Sequence, residues 1–294
     1  MGVQSGFLSA RGLTRAGIFA GLLAGGMLAS SSAFAVPTFT QDGVTFAWDP
    51  ISGNARGNQF STTIWENTVT APGQTLTGIG LVNAISAKGC VAHSGGVCWQ
   101  NGDNGKELTF SFSYTVEKIE VVTPTTGHAL FSGGIANFYS DSLLDFTSGG
   151  TQATGLTKAT DGTLWLNTVG ATTGLACDAT CFSGAGTQVS LESFFSITGS
   201  DLSKVQSGDG HGFLDIDLGG TGTANTYFDT NNFPHNQDLN LSSSFSKNQS
   251  GGPWPLTGTA ALQQRVPEPG SLLLLGTGLL SLAGARLRRR RGRA

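Results

Sequence analysis

The amino-acid sequence predicts an all-β protein, folded as an antiparallel β-sandwich with a jelly-roll-like arrangement of strands. Glycine accounts for 44 of the 294 residues and charged residues for only 12%, which is typical of short strands joined by tight turns. Residues 107–116 alternate apolar and polar side chains without a break, as a half-buried strand does. The remaining body shows similar short segments and no convincing helical periodicity, and most of the eighteen phenylalanines of the chain lie in it and supply apolar area for a core.

The first thirty-five residues have the features of a secretory signal peptide. Two arginines precede an apolar run over residues 16–28, which is too short for a comfortable membrane helix. Ala33 and Ala35 fit the small-residue rule for cleavage, so the mature protein is expected to begin at Val36.

The β-sandwich ectodomain is predicted to occupy residues 36–248, followed by a Gly/Pro linker over residues 249–265. After residue 116 the chain is expected to turn back, or to continue beyond a bulge at Glu117 and Lys118. Further strands are predicted at 44–48, 60–69, 75–82, 119–122, 163–169, 189–197, 212–218, 225–229 and 239–245, with short helical turns near 141–146 and 201–206.

Residues 266–294 combine a proline motif, an apolar run and a basic end. The two prolines fix φ and should keep the motif extended and accessible. A transmembrane helix is predicted over residues 270–287; its sixteen uncharged residues to 285 reach about 24 Å, short of a full bilayer core but adequate as a stop. Positive charge is retained on the cytoplasmic side. The motif is Val266, Pro267, Glu268 and Pro269, and the cytoplasmic basic cluster is Arg286, Arg288, Arg289, Arg290, Arg291 and Arg293.

This tripartite tail resembles that of the PEP-CTERM proteins, over Val266 to Arg293. The resemblance implies recognition by an exosortase-type membrane enzyme, which would cut near the proline motif. It implies export through the inner membrane, transient anchoring by the C-terminal helix, and a final place at the cell surface or outside the cell, alongside exopolysaccharide. A plain C-terminal anchor with a chance proline motif is the alternative interpretation.

Charge and cysteine usage fit an exported body. Between Val36 and Pro267 there are eight basic and eighteen acidic residues, a net charge of −10, which argues against nucleic acid as a partner. Two local disulfides are the default in an oxidising compartment, although four cysteines allow three pairings. A Cys/His metal site that uses His93 is the rival interpretation. The cysteines are Cys90, Cys98, Cys177 and Cys181.

The sequence contains no recognisable catalytic motif, and no cofactor is expected. The four histidines, at 93, 128, 211 and 235, lie in polar, Gly-rich segments and are expected to be solvated loop residues. Calcium, which takes six to eight oxygen ligands, has weak candidate ligands in Asp209, Asp215 and Asp217 and in the stretch 101–107. A solvent-facing loop and a polar strand edge are the simpler explanation.

These observations favour a non-enzymatic exported protein of the cell surface or extracellular matrix, with a structural, adhesive or exopolysaccharide-associated role. A carbohydrate-binding module is the first alternative, with sugar stacking on exposed tryptophans. A secreted glycoside hydrolase is the second, with Asp215 and Asp217 as acid and base. The tryptophans are Trp48, Trp65, Trp99, Trp165 and Trp254.

Overall fold

A computed structural model of the chain describes residues 36–49, 54–55, 57–171, 189–231 and 237–264. All strand pairings among them are antiparallel, so the predicted all-β class is confirmed. The elements are β1 (Thr38–Gln41), β2 (Val44–Asp49), β3 (Asn54–Ala55), β4 (Gln59–Glu66), β5 (Thr75–Ser86), β6 (Val97–Gln100), β7 (Glu107–Thr123), β8 (Thr126–Asp141), α1 (Gln152–Thr160), β9 (Thr163–Gly170), β10 (Val189–Thr198), β11 (Asp201–Ile216), α2 (Asn225–Phe228), β12 (Leu239–Lys247) and β13 (Leu256–Gln264), with 3-10 turns at Ser94–Gly96 and Asp103–Gly105.

The larger sheet closes on itself. Its strands pair in the order β4, β5, β7, β8, β10, β11, β12 and β13, and β13 pairs with β4 to complete the circuit, which we call the closed sheet. Like β10, the strand β9 pairs with both β8 and β11, but with other segments of these two long strands. β6 adds to β5, and β1 to β3 form a separate small sheet. Two faces enclosing one core are consistent with the predicted sandwich, but strands adjacent in the chain are neighbours in space, unlike the crossed order of a jelly roll.

The interior of the closed sheet is apolar because alternate residues of each strand point inward. On β4 the buried positions are Phe60, Thr62, Ile64 and Glu66. At one end, which we call the packed end, aromatic rings from five elements meet with neighbouring centroids 5.0 to 6.0 Å apart. These rings belong to Phe46 of β2, Phe60 of β4, Phe138 of β8, Trp165 of β9 and Phe228 of α2.

The bulge expected after residue 116 is confirmed. β7 continues through it to Thr123, and its register with β8 shifts between Val116 and Lys118. The inward positions consequently change from even numbers, such as Tyr114, to odd numbers, such as Ile119. β8 makes the matching change at Gly133 and Gly134, where φ is 63° and 109°, values that favour glycine.

The predicted linker over residues 249–265 is wrong for most of its length. Residues 256–264 form β13, which lies between β12 and β4, so the β domain extends beyond residue 248 to at least Gln264. The Gly/Pro signals that suggested a linker belong to the turn before this strand. Within that turn Trp254 is only 3% exposed, because it packs on Ile79 of β5.

Three smaller predictions also differ from the structure. Residues 225–229 were expected to be a strand, but Asn225–Phe228 is the single turn α2, which places Phe228 in the core. Residues 201–206 were expected to be a helical turn, but they begin the long strand β11, where pairing with β10 overrides a polar sequence. No helix forms at 141–146; the helix lies further on, at Gln152–Thr160.

Helix α1 lies on the outer face of the closed sheet. Thr151 caps its N-terminus by accepting a hydrogen bond from the Thr154 N–H at 3.1 Å. Its buried residue Ala159 packs with Ile79 and Trp254. Neither helix among the described residues has the length and apolarity that a membrane crossing requires. The predicted signal peptide over residues 1–35 and the predicted membrane helix over 270–287 lie outside the described residues.

Candidate functional site

Most residues of the predicted sorting and cleavage signals lie outside the part of the chain that the structure describes. Val36, the expected first residue of the mature protein, is described. Its backbone N–H donates to the Gly89 carbonyl oxygen at 3.4 Å, and its side chain packs against a small buried cluster that includes a disulfide. The residues outside are Ala33, Ala35, Cys177, Cys181, Val266, Pro267, Glu268, Pro269, Arg286, Arg288, Arg289, Arg290, Arg291 and Arg293.

The structure forms the first of the two predicted disulfides. Cys90 and Cys98 are bonded, with their Cα atoms 5.0 Å apart and both residues buried. The bond ties the turn after β5 to β6. His93 is not near a free thiolate; its Nε2 lies 2.6 Å from Asp103 Oδ2. The alternative Cys/His metal site is therefore wrong at this pair.

The three aspartates proposed as calcium ligands are not gathered into one site. Asp209 is exposed on β11, six residues before Asp215 on the same strand, which places them about 20 Å apart. Asp217 lies just beyond the strand, where its Oδ1 accepts the Gly219 N–H at 3.0 Å and closes a turn. A strand holds its residues in line, so the sequence proximity of these carboxylates does not bring them around one ion.

Asp215 instead faces a carboxylate from the other side of the β11–β12 connection. Asp238 is 1% exposed and accepts backbone N–H bonds from Ile216 at 2.9 Å and from Asn231 at 2.6 Å. Burial, the hydrogen bond with Asp238 and the charge of that neighbour together raise the pKa of Asp215 to about 7. Burial and Asp238 also raise the pKa of Asp229. Asp238 thereby ties the connection to the end of β11, because it accepts N–H bonds both from Ile216 of β11 and from Asn231 within the connection.

A second acidic cluster, absent from the sequence predictions as a set, joins Glu107, Asp141 and Asp145. Carboxylate oxygens of the three lie within 4.8 Å of one another. Glu107 is 3% exposed, and its Oε1 accepts the N–H groups of Asp145 at 3.1 Å and Phe146 at 3.0 Å. Burial raises the pKa of Glu107 against the effect of these bonds, and the two aspartates add to the increase.

The chemistry of this acidic cluster suits a hard cation, since carboxylate oxygens are the ligands that calcium and magnesium take. One cation already belongs to it: the Lys158 ammonium pairs with Asp145 and also lies 3.3 Å from Asp161. Asp141 uses Oδ1 to accept the Ser142 and Leu143 N–H groups. The cluster therefore also has a structural explanation, as the anchor of the loop that leads from β8 to α1.

The cluster is created by strand register, which sequence inspection missed. Glu107 opens β7 and lies directly opposite Asp141, the last residue of β8. Thirty-four residues separate them in the chain. Of the other stretch considered for calcium, 101–107, only Glu107 takes part, because Asp103 is held by His93.

Two of the described histidines are not in solvated loops. His128 lies on β8 and is 1% exposed; its Nε2 is 2.7 Å from Glu192 Oε1 on β10, and its ring stacks on Phe194. His211 is exposed but belongs to strand β11. The Gly-rich context of His128 was misleading, since those glycines are strand residues.

Three of the five tryptophans are buried and are not available as a sugar platform. Trp99 and Trp165 are fully buried, Trp254 is 3% exposed, and Trp48 and Trp65 are half-buried. Ring contacts cover part of the two half-buried side chains: Trp48 packs against Phe39 and Tyr227, and Trp65 packs against Phe146. Sugar stacking needs an open ring face, which the three buried tryptophans lack.

Comparison with known proteins returns one result, at the C-terminus. A family model described as the PEP-CTERM protein-sorting motif matches residues 265–291, which include the proline motif, the apolar run and the first five arginines of the basic cluster. Comparisons with curated proteins and with solved structures gave no match. The C-terminal tail thus carries the PEP-CTERM protein-sorting motif, and this motif implies an exported protein that an exosortase-type membrane enzyme sorts to the cell surface.

Proposed function

We propose that the protein is a non-enzymatic component of the cell surface or extracellular matrix, with a structural or adhesive role in association with exopolysaccharide. The observation that carries this proposal is the sorting motif at residues 265–291, joined directly to a closed β domain. The domain is suited to life outside the cell, because it combines a local disulfide with a strongly acidic balance of charges.

The polar groups of the described residues support a structural role more than catalysis. The carboxylates of Glu107 and Asp238 accept backbone N–H bonds and organise loops. Asp217, the proposed partner of Asp215 in a hydrolase, is engaged by the turn that it closes. The hydrolase alternative predicts loss of polysaccharide cleavage in Asp217→Asn, and the non-enzymatic proposal predicts no cleavage to lose.

The carbohydrate-binding alternative is weakened by the burial of three of the five tryptophans, since only the half-buried Trp48 and Trp65 are left to stack on a sugar. Co-sedimentation of the purified protein with exopolysaccharide from the producing cells tests the association. Retention that resists 0.5 M salt would support it, and retention abolished by salt would reduce it to non-specific charge effects.

The sorting step is tested by replacing Pro267, Glu268 and Pro269 together with alanine. This variant should accumulate at full length in the inner membrane, because the enzyme loses its recognition motif while the apolar run and arginines remain. Pro253→Ala, a proline substitution in the turn before β13, is the matched control and should be processed normally. Equal release of both variants would contradict the sorting role of the motif.

Fractionation with intact-mass measurement then defines the product. The expected mass lacks residues 1–35 and the end of the chain beyond the proline motif, and each disulfide lowers it by about 2 Da. A cytosolic product with both ends intact would refute export.

A further inference from the structure

The interior of the closed sheet is not filled along its whole length. Next to the packed end, with Phe138 at the border, it contains two adjoining cavities of about 50 Å³ each. Both are lined by Glu66, Leu76, Leu191 and Ser243, so they meet around these residues. Otherwise their walls are mainly aliphatic and aromatic side chains. The interior therefore offers an apolar space with a carboxyl group where its two parts join.

Glu66 is at an inward position of β4, where the alternation of the strand calls for an apolar residue. It is 6% exposed, and no other described residue forms a hydrogen bond or ion pair with its carboxyl group. Thr62 lies four residues earlier on the same face of β4. Its hydroxyl group has a partner, because it donates a hydrogen bond to the Ala260 carbonyl oxygen at 2.8 Å. Burial raises the pKa of Glu66 to about 8, so the group is a neutral hydrogen-bond donor at pH 7.

Tyr114 supplies a second polar group to the same space. It is 3% exposed, lines the cavity on the side of Phe110 and Phe138, and its hydroxyl group has no hydrogen-bond partner among the described residues. A buried polar group without a partner destabilises a fold. Two such groups on one apolar cavity are the arrangement of a small-molecule site, in which a few polar groups orient a ligand between apolar walls.

We propose that this interior cavity binds a small neutral molecule that has an alkyl part and one hydroxyl or carbonyl oxygen, with the oxygen hydrogen-bonded to Glu66 and Tyr114. The chemical class of the ligand follows from the side chains of Glu66 and Tyr114, because both are hydrogen-bond donors and neither carries a permanent charge. The size follows from the volume: the two cavities total about 100 Å³, less than the about 150 Å³ of a cavity that accommodates benzene, so the ligand is a narrow chain of at most about six heavy atoms that extends through both cavities. This binding goes beyond the structural role proposed above and does not depend on it.

The test uses the exported protein purified from cells, with 1-pentanol as the probe and n-pentane as the matched molecule without a hydroxyl group. We expect 1-pentanol to bind saturably by calorimetry and to raise the Tm at low millimolar concentration, although alcohols otherwise destabilise proteins. Glu66→Leu and Tyr114→Phe should each weaken 1-pentanol binding by about 3- to 10-fold, as the loss of one hydrogen bond does. Neither substitution should weaken binding of n-pentane.

Matched controls separate the cavity from the surface. Glu120→Leu, on the same closed sheet but at an exposed ion pair, and Tyr139→Phe, outside the cavity lining, should leave 1-pentanol binding unchanged. If Glu66→Leu does not fold, Tyr114→Phe alone decides. The proposal is overturned if 1-pentanol shows no saturable binding, if Tyr114→Phe binds it like the parent protein, or if a crystal soaked in 1-pentanol shows only ordered water at Glu66.

Discussion

Replacing Glu66 with glutamine should remove a large part of the pH dependence of stability. The substitution keeps the size and hydrogen-bonding capacity of the side chain but abolishes its ionisation. In the folded protein the pKa of Glu66 is raised from 4.5 to about 8 because the carboxyl group is buried without a partner. In the unfolded chain it returns to its ordinary value.

The sign follows from which state binds the proton more tightly. Below pH 4.5 the group is protonated in both states and has no effect. Between pH 4.5 and 8 the unfolded state loses the proton first, so the free energy of unfolding falls as the pH rises, by up to about 1.4 kcal/mol per pH unit. Above pH 8 the loss is complete. The raised pKa corresponds to a total decrease of about 5 kcal/mol in the free energy of unfolding between these pH values, and Glu66→Gln should not show this decrease.

The assay is urea unfolding of the exported protein at intervals from pH 4 to pH 9, followed by tryptophan fluorescence. Because other carboxyl groups also have raised pKa values, the informative quantity is the difference between the parent protein and Glu66→Gln at each pH. Glu120→Gln, at a side chain that is 32% exposed and paired with Lys118, is the control for the effect of the substitution itself. A Glu66→Gln difference that varies by less than about 1 kcal/mol over this range would refute the reasoning.

Three further experiments with substituted proteins test the packing. Removing the Cys90–Cys98 disulfide by alanine substitution of both residues should lower the free energy of unfolding by about 2 to 3 kcal/mol, since the closed loop is short; a loss under 0.5 kcal/mol would contradict its role. Asn58→Ala should cost about 3 kcal/mol, because Asn58 satisfies both the N–H and the carbonyl of buried Ala47, whereas exposed Asn83→Ala should cost less than about 1 kcal/mol in the same urea titration. Gly170→Ala should reduce the yield of folded protein, because a Cβ there would collide with the Gly133 carbonyl oxygen; a normal yield and Tm would show that this contact is loose.

The strands that could be predicted are those in which large apolar residues alternate with polar ones. Residues 107–116 fix their own inward face, and the break in alternation after 116 marks the bulge. β8 was missed because Gly133 and Gly134 interrupt its alternation, and β13 because its inward residues include small ones such as Ala260. Both strands are specified by their neighbours rather than by their own pattern.

The candidate sites divide in the same way. The sorting motif and the Cys90–Cys98 pair are local, so a few adjacent residues reveal them. The acidic cluster and the carboxyl group pair of Asp215 with Asp238 depend on cross-strand register and loop closure, which a single sequence does not disclose. Glu66 was readable as an anomaly, a carboxyl group at an apolar position of an alternating strand, but the missing partner is visible only in three dimensions.

The pairing of β13 with β4 has a consequence for the timing of maturation. The contacts between these strands join residues far apart in the chain, such as Thr62 and Ala260. Because a chain is synthesised from its N-terminus, β4 can pair with β13 only after nearly the whole domain has been made. Until then β4 and β12 each carry an unpaired edge that invites association with other chains. Gln264 ends β13 six residues before Gly270, a reach of about 20 Å at most. The last strand is thus synthesised almost together with the sorting motif. Cleavage before β13 has paired would release a protein in which the edges of β4 and β12 are still unpaired.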